Sequence, residues 1–191
     1  MPNETEVKFA VEDLTAAAEA LAAAGAECLG AFLETDRFFD TPDGTFRESD
    51  CALRLRTVRR LDEAAGADVR PLVTFKGPQQ AHERLKVRRE VQTRIEDAES
   101  LADILDACGL RAMVTVQKRR RRYRLDACVI ELDELPLIGC FVEIEGPDER
   151  AIYAVRDKLQ LTGEPITDSY LHLLEAARPP GEEPDSFTFG P

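Results

Sequence analysis

We predict an α+β fold in which eight strands form a sheet and helices cover its apolar face. Eight segments alternate apolar and polar residues, which is the period of a β-strand. Four other segments carry apolar residues at helical spacing. Because the helices need the apolar faces of the strands, the charged faces are left together on the other side of the sheet.

The first strand is expected over 3–11, and a helix follows it. Asp13 is a suitable N-cap for that helix, and Gly25 is suited to end it. Four apolar residues between these two positions keep helical spacing: Leu14, Ala17, Leu21 and Ala24.

Four strands follow before the second helix. Asp43-Gly44 predicts a turn, the polar segment 62–68 predicts a flexible hairpin loop, and Gly77-Pro78 is expected to end the fourth strand of the chain. These strands are expected near 33–40, 52–59, 71–76 and 84–94.

The second half of the chain continues with a helix near 97–108, before Gly109. Strands are then expected near 112–125, 127–134 and 139–146, and helices near 148–161 and 168–177. The apolar residues in phase on the second and third helices are Leu101, Ile104, Leu105, Ile152, Val155 and Leu159.

These elements are expected to make a single domain over residues 1–177. The remaining segment, 178–191, is rich in proline, glycine and acidic residues, so we expect a mobile tail. Phe187 and Phe189 are the residues of this tail that are suited to dock on the domain.

The composition excludes several classes of protein. With a formal net charge of -12, the chain is a poor non-specific nucleic-acid binder. No apolar stretch is long enough to span a membrane and no signal peptide begins the chain, so we expect a cytoplasmic protein without membrane or nucleic-acid partners. The five cysteines form no CxxC pair, which argues against a zinc site or a disulfide framework. His82 and His172 stand far apart, so any metal should be a hard cation held by carboxylates.

Along most of the predicted strands the charged residues occupy alternate positions, so they point to the same face of the sheet. If the sheet curls or closes, these charges line a shared interior, where they would be very unfavourable without partners. A polyphosphate bound with Mg²⁺ or Mn²⁺ would satisfy both the cations and the carboxylates. The cations are Lys8, Arg54, Arg56, Lys76, Arg88, Lys118 and Arg120, and the carboxylates are Glu4, Glu6, Glu90, Glu131, Asp133, Glu143 and Glu145.

A series of motifs, in order along about residues 1–175, resembles those of one known family. Glu4-Thr-Glu6-Val-Lys8 resembles the ExExK signature of the CYTH family, the triphosphate tunnel metalloenzymes. Ser169-Tyr170-Leu171 resembles the C-terminal helix of its class IV adenylyl cyclase branch. The other matching segments are Asp36-Arg-Phe-Phe-Asp40-Thr-Pro, Leu53-Arg54-Leu55-Arg56, Thr74-Phe-Lys76-Gly77-Pro78, Arg88-Arg-Glu90, Lys118-Arg-Arg120-Arg-Arg-Tyr123, Leu132-Asp133 and Gly139-Cys-Phe141-Val-Glu143-Ile-Glu145.

The resemblance implies an eight-stranded antiparallel β-barrel, the triphosphate tunnel, with helices packed on the outside. It also implies a small-molecule triphosphate substrate (ATP, tripolyphosphate or thiamine triphosphate) and one or two divalent metals, Mg²⁺ or Mn²⁺. Closed barrels of this kind often pair, so a homodimer is a candidate assembly.

The predicted site residues divide into three groups. Lys8 and Lys76 are the catalytic candidates, and Lys8 is expected either to pair with Glu6 or to contact phosphate. The metal ligands are expected to be Glu4, Glu6, Asp133, Glu143 and Glu145, with Glu90 and Glu131 in support. The phosphate-binding residues are expected to be Arg54, Arg56, Lys76, Arg88, Lys118 and Arg120.

Two positions depart from the family pattern. Gln92 stands where the family usually has a second glutamate, which removes one charge but leaves an amide oxygen. Phe38-Phe39 stands where many relatives have a tyrosine, so a mechanism that uses a tyrosine hydroxyl from this segment is in doubt.

Three functional hypotheses follow. The first is a class IV adenylyl cyclase-like enzyme that converts ATP to cyclic AMP and pyrophosphate. The second is a triphosphatase that hydrolyses inorganic, thiamine or nucleoside triphosphate. The third is a non-catalytic module that binds polyphosphate or nucleotide.

Overall fold

The structure is a computed structural model that describes residues 3–62, 69–179 and 186–190. Within these ranges the strands are β1 (Asn3–Val11), β2 (Glu27–Asp40), β3 (Ala52–Arg60), β4 (Val69–Gln80), β5 (Lys86–Arg94), β6 (Arg111–Leu125), β7 (Cys128–Leu135), β8 (Gly139–Glu145) and β9 (Ser186–Phe187). The helices are α1 (Leu14–Ala23), α2 (Thr45–Glu48), α3 (Ala98–Ala107), α4 (Glu149–Lys158) and α5 (Tyr170–Ala176).

Strands β1 to β8 form a closed antiparallel barrel, which confirms the predicted fold class. The strand order is β2-β3-β4-β5-β1-β8-β7-β6, and pairing between β2 and β6 closes the ring. Successive side chains of a strand alternate between the two faces of the sheet, so every strand sends one set of residues into the barrel and another set outward.

The apolar outward face is the main hydrophobic core. Helices α1 and α4 cover β1, β7 and β8, where Val7, Ile130 and Ile144 are fully buried. Helix α3 covers a smaller cluster on β2 and β3 that contains Phe39 and Leu55. The helices therefore occupy the apolar side, and the interior is left to the charged side chains.

The ends of α1 follow the sequence signals. The carboxylate of Asp13 accepts a hydrogen bond from the backbone N–H of Thr15 at 2.9 Å, as an N-cap should. Gly25, with φ +74°, adopts the left-handed conformation just beyond the helix. The backbone N–H of Ala26 then reaches back to the carbonyl of Leu21.

The predicted strand bounds need two corrections. Strand β2 begins six residues before the expected position, at Glu27 rather than near residue 33, because it pairs with β6 along almost its full length. Strand β4 does not end at Gly77-Pro78 but continues to Gln80. A register irregularity between Lys76 and Gln79 accommodates the proline, which has no backbone N–H to contribute to a regular ladder.

The short elements α2 and β9 were not predicted. Strand β9 pairs in parallel with Thr115 and Val116 of β6, and Phe187 is buried against Leu174 of α5. Residues 186–190 therefore pack on the barrel, whereas 180–185 and most of the predicted hairpin loop, 63–68, lie outside the described residues. In the part of the chain that the structure describes, no helix is long and apolar enough to cross a membrane.

Candidate active site

The barrel encloses a charged cavity of about 1810 Å³. The predicted site residues that line it are Glu4, Glu6, Lys8, Arg54, Arg56, Lys76, Arg88, Glu90, Lys118, Arg120, Glu131, Glu143 and Glu145. Asp133 is fully buried behind this lining, where it receives two hydrogen bonds from Arg120. The parity of the strands thus brings the two predicted groups of charges into one interior.

Carboxylates from both ends of the barrel sequence meet on β1, β7 and β8. Glu6 lies opposite Glu145 across the β1–β8 ladder, and Glu143 lies opposite Glu131 across the β7–β8 ladder. Carboxylate oxygens of Glu131, Asp133 and Glu143 lie within 4.8 Å of one another. We call these five residues, together with Glu4, the carboxylate cluster.

Crowding within this cluster changes the ionisation of its members. Partial burial and the nearby carboxylates of Glu131 and Glu4 raise the pKa of Glu145 to about 7, although its side chain still contacts the solvent of the cavity. Burial and the charge of Glu6 likewise raise the pKa of Glu4, with the cation of Lys76 acting in the opposite direction.

Glu6 differs, because burial would raise its pKa but the ammonium groups of Lys8 and Lys86 hold it well below its ordinary value. The part of the cluster around Glu4 and Glu145 disfavours its own negative charges and is suited to bind a cation.

Two lysines contact the carboxylate of Glu6 on β1. Lys8 Nζ lies 3.0 Å from Glu6 Oε1 and 3.3 Å from Glu143 Oε2, and the side chain is 1% exposed. Burial alone would lower the pKa of Lys8, but Glu6 and Glu143 raise it well above its ordinary value, so the ammonium stays charged. Lys86 Nζ makes a second contact with Glu6 Oε1, at 2.8 Å.

Lys76 makes the corresponding bridge on the other side of β1. Its ammonium lies 2.6 Å from Glu4 Oε2 and 2.7 Å from Glu90 Oε2. Glu90, predicted as a supporting residue, thus shares this lysine with a predicted metal ligand. The catalytic assignments of Lys8 and Lys76 stay predictions.

The opposite wall carries cations from β3 and β6. Arg56 donates two hydrogen bonds to Asp36, from Nε at 2.6 Å and from Nη2 at 2.8 Å. Arg54 and Lys118 lie 3.7 and 3.8 Å from the same carboxylate. We call the set Arg54, Arg56, Lys118, Arg120 and Arg122 the cation cluster.

Arg120 connects the two clusters. Its guanidinium is 4% exposed and makes ion pairs with Glu131, Asp133 and Glu143, while Nη1 also lies 3.7 Å from Glu34. Burial would lower the pKa of Arg120, but Asp133 and Glu131 hold it well above its ordinary value. One arginine of the cation cluster therefore contacts three members of the carboxylate cluster and also Glu34.

Arg88 makes different contacts from the other predicted phosphate ligands. It donates to the backbone carbonyls of Gly77, at 2.8 Å, and of Asp50, at 2.6 Å. Asp50 in turn accepts a hydrogen bond from the backbone N–H of Gln79 at 2.6 Å. Arg88 thus ties the irregular part of β4 to the loop before β3, while still lining the cavity.

The sequence prediction omitted several charged residues of the interior, among them Glu34, Asp36, Lys86 and Arg122. Glu34 and Asp36 share the parity of the inward residues of β2, so the alternation that identified Arg54 and Arg56 could have found them. Lys86 stands two residues before Arg88 and has the same signal.

Aromatic and apolar side chains border the cavity beside α5. The ring of Tyr170 lies 5.1 Å from the ammonium of Lys8 and 5.5 Å from that of Lys118, and it packs edge-on against Phe141. Phe38 and Val114 are paired across β2 and β6, and both line the cavity. Leu171 lines it with them, so the charged interior adjoins an apolar patch formed by Phe38, Val114 and Leu171.

Comparisons with known proteins agree with this architecture. A Methanocaldococcus jannaschii protein named "Putative adenylate cyclase" is 30% identical over 142 residues, which are 74% of this chain and 75% of that protein. A solved structure of a Pyrococcus horikoshii protein is 28% identical, with a TM-score of 0.76, and the match covers 92% of this chain and 99% of that one.

A more distant solved structure comes from Hippeastrum. That protein is described as a putative adenylyl cyclase with a dominant triphosphatase activity. Its match has a TM-score of 0.71 at 16% identity and covers 93% of this chain and 98% of that one, which shows a shared fold. The family model described as "CYTH domain" matches residues 2–165 of the present sequence, and the chain belongs to the CYTH family.

Proposed function

We propose that this protein is a metal-dependent enzyme that holds a triphosphate in the barrel and acts on ATP as a class IV adenylyl cyclase does, releasing cyclic AMP and pyrophosphate. The carrying observation is that the carboxylate cluster and the cation cluster share one cavity and are joined by Arg120. A nucleotide triphosphate would supply negative charge to the cation cluster, and its divalent metal would supply positive charge to the carboxylate cluster.

The residues present fit the divalent metal on which CYTH domains generally depend. All the candidate donors are carboxylate oxygens, which Mg²⁺ and Mn²⁺ prefer. The raised pKa of Glu145 also indicates a shortage of positive charge at this position. We assign Glu4, Glu6, Asp133, Glu143 and Glu145 as the metal-holding residues, with Glu90 and Glu131 in support. When bound, the metal would neutralise phosphate charge and promote attack by the nucleophile.

The phosphates are assigned to the cations of the interior. Arginine forks match pairs of phosphate oxygens, and lysines supply compact charges. Their task in this reaction is to stabilise the negative charge that develops on the departing pyrophosphate. The phosphate-binding residues are Arg54, Arg56, Lys76, Arg88, Lys118 and Arg120.

Lys8 and Lys76 are assigned to catalysis through charge rather than through proton abstraction. Because Lys8 stays protonated between two carboxylates, it is unsuited to act as a base. It instead orients Glu6 and Glu143, and Lys76 does the same for Glu4. Both ammonium groups also line the cavity, where they can add positive charge next to a phosphate.

The cyclase assignment rests on space and on polarity. The cavity is larger than the pockets of about 300–1,000 Å³ that hold typical small ligands, so it is not limited to an inorganic triphosphate. The apolar patch of Phe38, Val114 and Leu171 offers a surface for a nucleoside beside the cations. The name of the Methanocaldococcus jannaschii relative supports the same choice.

In the proposed reaction, the ribose 3′ oxygen forms a bond to the α-phosphorus, and its proton passes to solvent water in the cavity. The bond between the α-phosphorus and the bridging oxygen to the β-phosphate breaks, and pyrophosphate leaves with that electron pair. ATP is thus converted to cyclic AMP and pyrophosphate without a further reactant. The protein's part is to hold the triphosphate extended and to stabilise the charge of the leaving group.

Hydrolysis is the second candidate, because a protein with this fold is described as a dominant triphosphatase. The two reactions differ in the nucleophile, which would be water instead of the ribose hydroxyl, and they use the same cations. Tripolyphosphate or thiamine triphosphate would then be alternative substrates.

We place either reaction in the cytoplasm, since all five cysteines are free. We keep a homodimer as the proposed assembly.

One assay separates these functions. The protein is incubated with Mg²⁺ or Mn²⁺ and with ATP, tripolyphosphate or thiamine triphosphate in turn, and the products are resolved by chromatography. Cyclic AMP with pyrophosphate is the expected result. Orthophosphate release would instead establish the triphosphatase, and tight binding without turnover of any of the three would identify a binding module and contradict both enzymatic proposals.

A further inference from the structure

Glu34 on β2 is a buried carboxylate inside the cation cluster. It is 2% exposed, and its Oε2 lies 2.8 Å from Arg56 Nη1, 3.3 Å from Lys118 Nζ and 3.7 Å from Arg120 Nη1. Its Oε1 lies 3.5 Å from Arg122 Nη2. Two strands, β3 and β6, thus direct four cations at one carboxylate.

The position of Glu34 relative to the cavity differs from that of its partners. Arg56, Lys118, Arg120 and Arg122 all line the cavity, whereas Glu34 does not. The cations therefore stand between this carboxylate and the space where a triphosphate would bind. Glu34 is a counter-ion that acts on them from behind.

The contacts of Glu34 are electrostatic with little directional bonding. Its Oε2 accepts no hydrogen bond from the residues that the structure describes, despite its short distance to Arg56. Asp36, by contrast, accepts two well-aligned hydrogen bonds from the same arginine. Asp36 therefore fixes the orientation of the guanidinium, while Glu34 mainly contributes negative charge.

From this geometry we infer that Glu34 is a positioning residue that sets the triphosphate affinity of the tunnel by neutralising part of the charge of the cation cluster. The inference rests on the proposed function, since it takes the cations to be phosphate ligands. In the absence of ligand, Glu34 stabilises the buried cations. With a triphosphate bound, the same carboxylate opposes the ligand's charge and limits how tightly substrate and pyrophosphate are held.

The isosteric change Glu34→Gln separates charge from shape. Removing one negative charge so close to the phosphate site should tighten tripolyphosphate binding by about tenfold or more, because ion pairs in the interior are weakly screened. The same change should lower the melting temperature of the free protein, because the buried cations lose a partner. A residue with a merely structural role would lower stability without tightening the binding.

The experiment is a calorimetric titration of the wild type and Glu34→Gln with sodium tripolyphosphate, first in EDTA and then in Mg²⁺, at fixed ionic strength. Glu34→Asp keeps the charge and should bind within about threefold of the wild type. Glu134→Gln is the matched control, because it removes a carboxylate that is 41% exposed on the outer face of β7, and its dissociation constant should not change. A melting series with and without tripolyphosphate accompanies the titrations.

Tighter binding to Glu34→Gln, with a larger rise in melting temperature on adding tripolyphosphate than in the wild type, supports the inference. Equal or weaker binding overturns it while leaving the proposed function intact, provided that the wild type binds. A wild type that binds tripolyphosphate neither in EDTA nor in Mg²⁺ would remove the proposed function and this inference together. If Glu34→Gln is unfolded alone, recovery of a cooperative transition in tripolyphosphate supports the inference, and failure to recover overturns it.

Discussion

Glu6 on β1 lies directly opposite Glu145 on β8, although the two residues stand near opposite ends of the barrel sequence. The strand order places the first and eighth strands side by side within the sheet, and side chains that are paired across a ladder point to the same face. Two like charges at such a pair are unfavourable, and the charge of Glu6 is one reason why the pKa of Glu145 is raised to about 7. A bound divalent cation would relieve this repulsion, which is why we propose both residues as metal ligands.

Neutral replacements in the carboxylate cluster test this site. Glu4→Gln and Glu143→Gln each remove one oxygen charge while keeping the side-chain shape, so we expect metal-dependent turnover to be lost and the fold to be kept. Turnover is measured with Mg²⁺ and Mn²⁺, metal affinity by Mn²⁺ titration under electron paramagnetic resonance, and folding by circular dichroism. The control is Glu134→Gln, whose exposed carboxylate pairs with Arg119 outside the barrel. Unchanged activity in both cluster variants would remove the metal assignment.

Much of this site could be predicted because a strand has a period of two. Arg54 and Arg56 share a parity, as do Glu143 and Glu145, and each pair does enter the same cavity. The alternation specifies which face a residue takes, and helices with apolar stripes specify which face becomes the interior. Local sequence is therefore sufficient to list most of the inward charges.

The sequence could not show which charges contact each other. The partners of Arg120 come from β2, β7 and β8, and they depend on the stagger of neighbouring strands in the closed barrel. Arg88 likewise reaches backbone carbonyls in two irregular segments that no periodic pattern describes. The two-residue strand β9 is too short to give a pattern at all.

Asp36 should support stability in a pH-dependent way. Burial would raise the pKa of Asp36, but Arg56, Arg54 and Lys118 hold it well below its ordinary value. Such a group stabilises the fold at pH values above its unfolded pKa of about 3.9, and this contribution is lost as the pH falls further toward the folded value.

The variant Asp36→Asn should therefore be less stable at neutral pH, by about 3–5 kcal/mol, because it leaves the buried Arg56 without its main partner. The difference in free energy of unfolding from the wild type should shrink below about pH 4, where the wild-type carboxylate loses its advantage. Urea denaturation of both proteins, from neutral pH to below about pH 4, measures this difference in the free energy of unfolding. A difference that stays constant with pH would contradict the assigned ion pair.

The docked tail should stabilise α5. Phe187 is 2% exposed and packs with Leu174 and Val116, whereas Phe189 rests beside the guanidinium of Arg119 at 4.1 Å and is only half-buried. Phe187→Ala should cost up to about 3–5 kcal/mol and increase hydrogen exchange in α5, because it opens a cavity in this cluster. Phe189→Ala, the matched control, should cost about 1 kcal/mol or less. Equal effects of the two changes would mean that the tail does not dock as described.

Lys8 lies between Glu6 and Glu143, two of the carboxylates that we propose as metal ligands. Lys8→Gln removes this buried charge and leaves two carboxylates poorly compensated, so we expect a loss of about 3–5 kcal/mol in EDTA and a fall in turnover. Mg²⁺ should then stabilise the variant more than the wild type, because the metal replaces the missing positive charge. Melting curves with EDTA and with Mg²⁺ measure this, and Lys158→Gln serves as a control, since Lys158 forms an exposed pair with Asp126. If Mg²⁺ raised the melting temperature of Lys8→Gln and of the wild type equally, the metal would not replace the charge of Lys8, which would contradict the prediction.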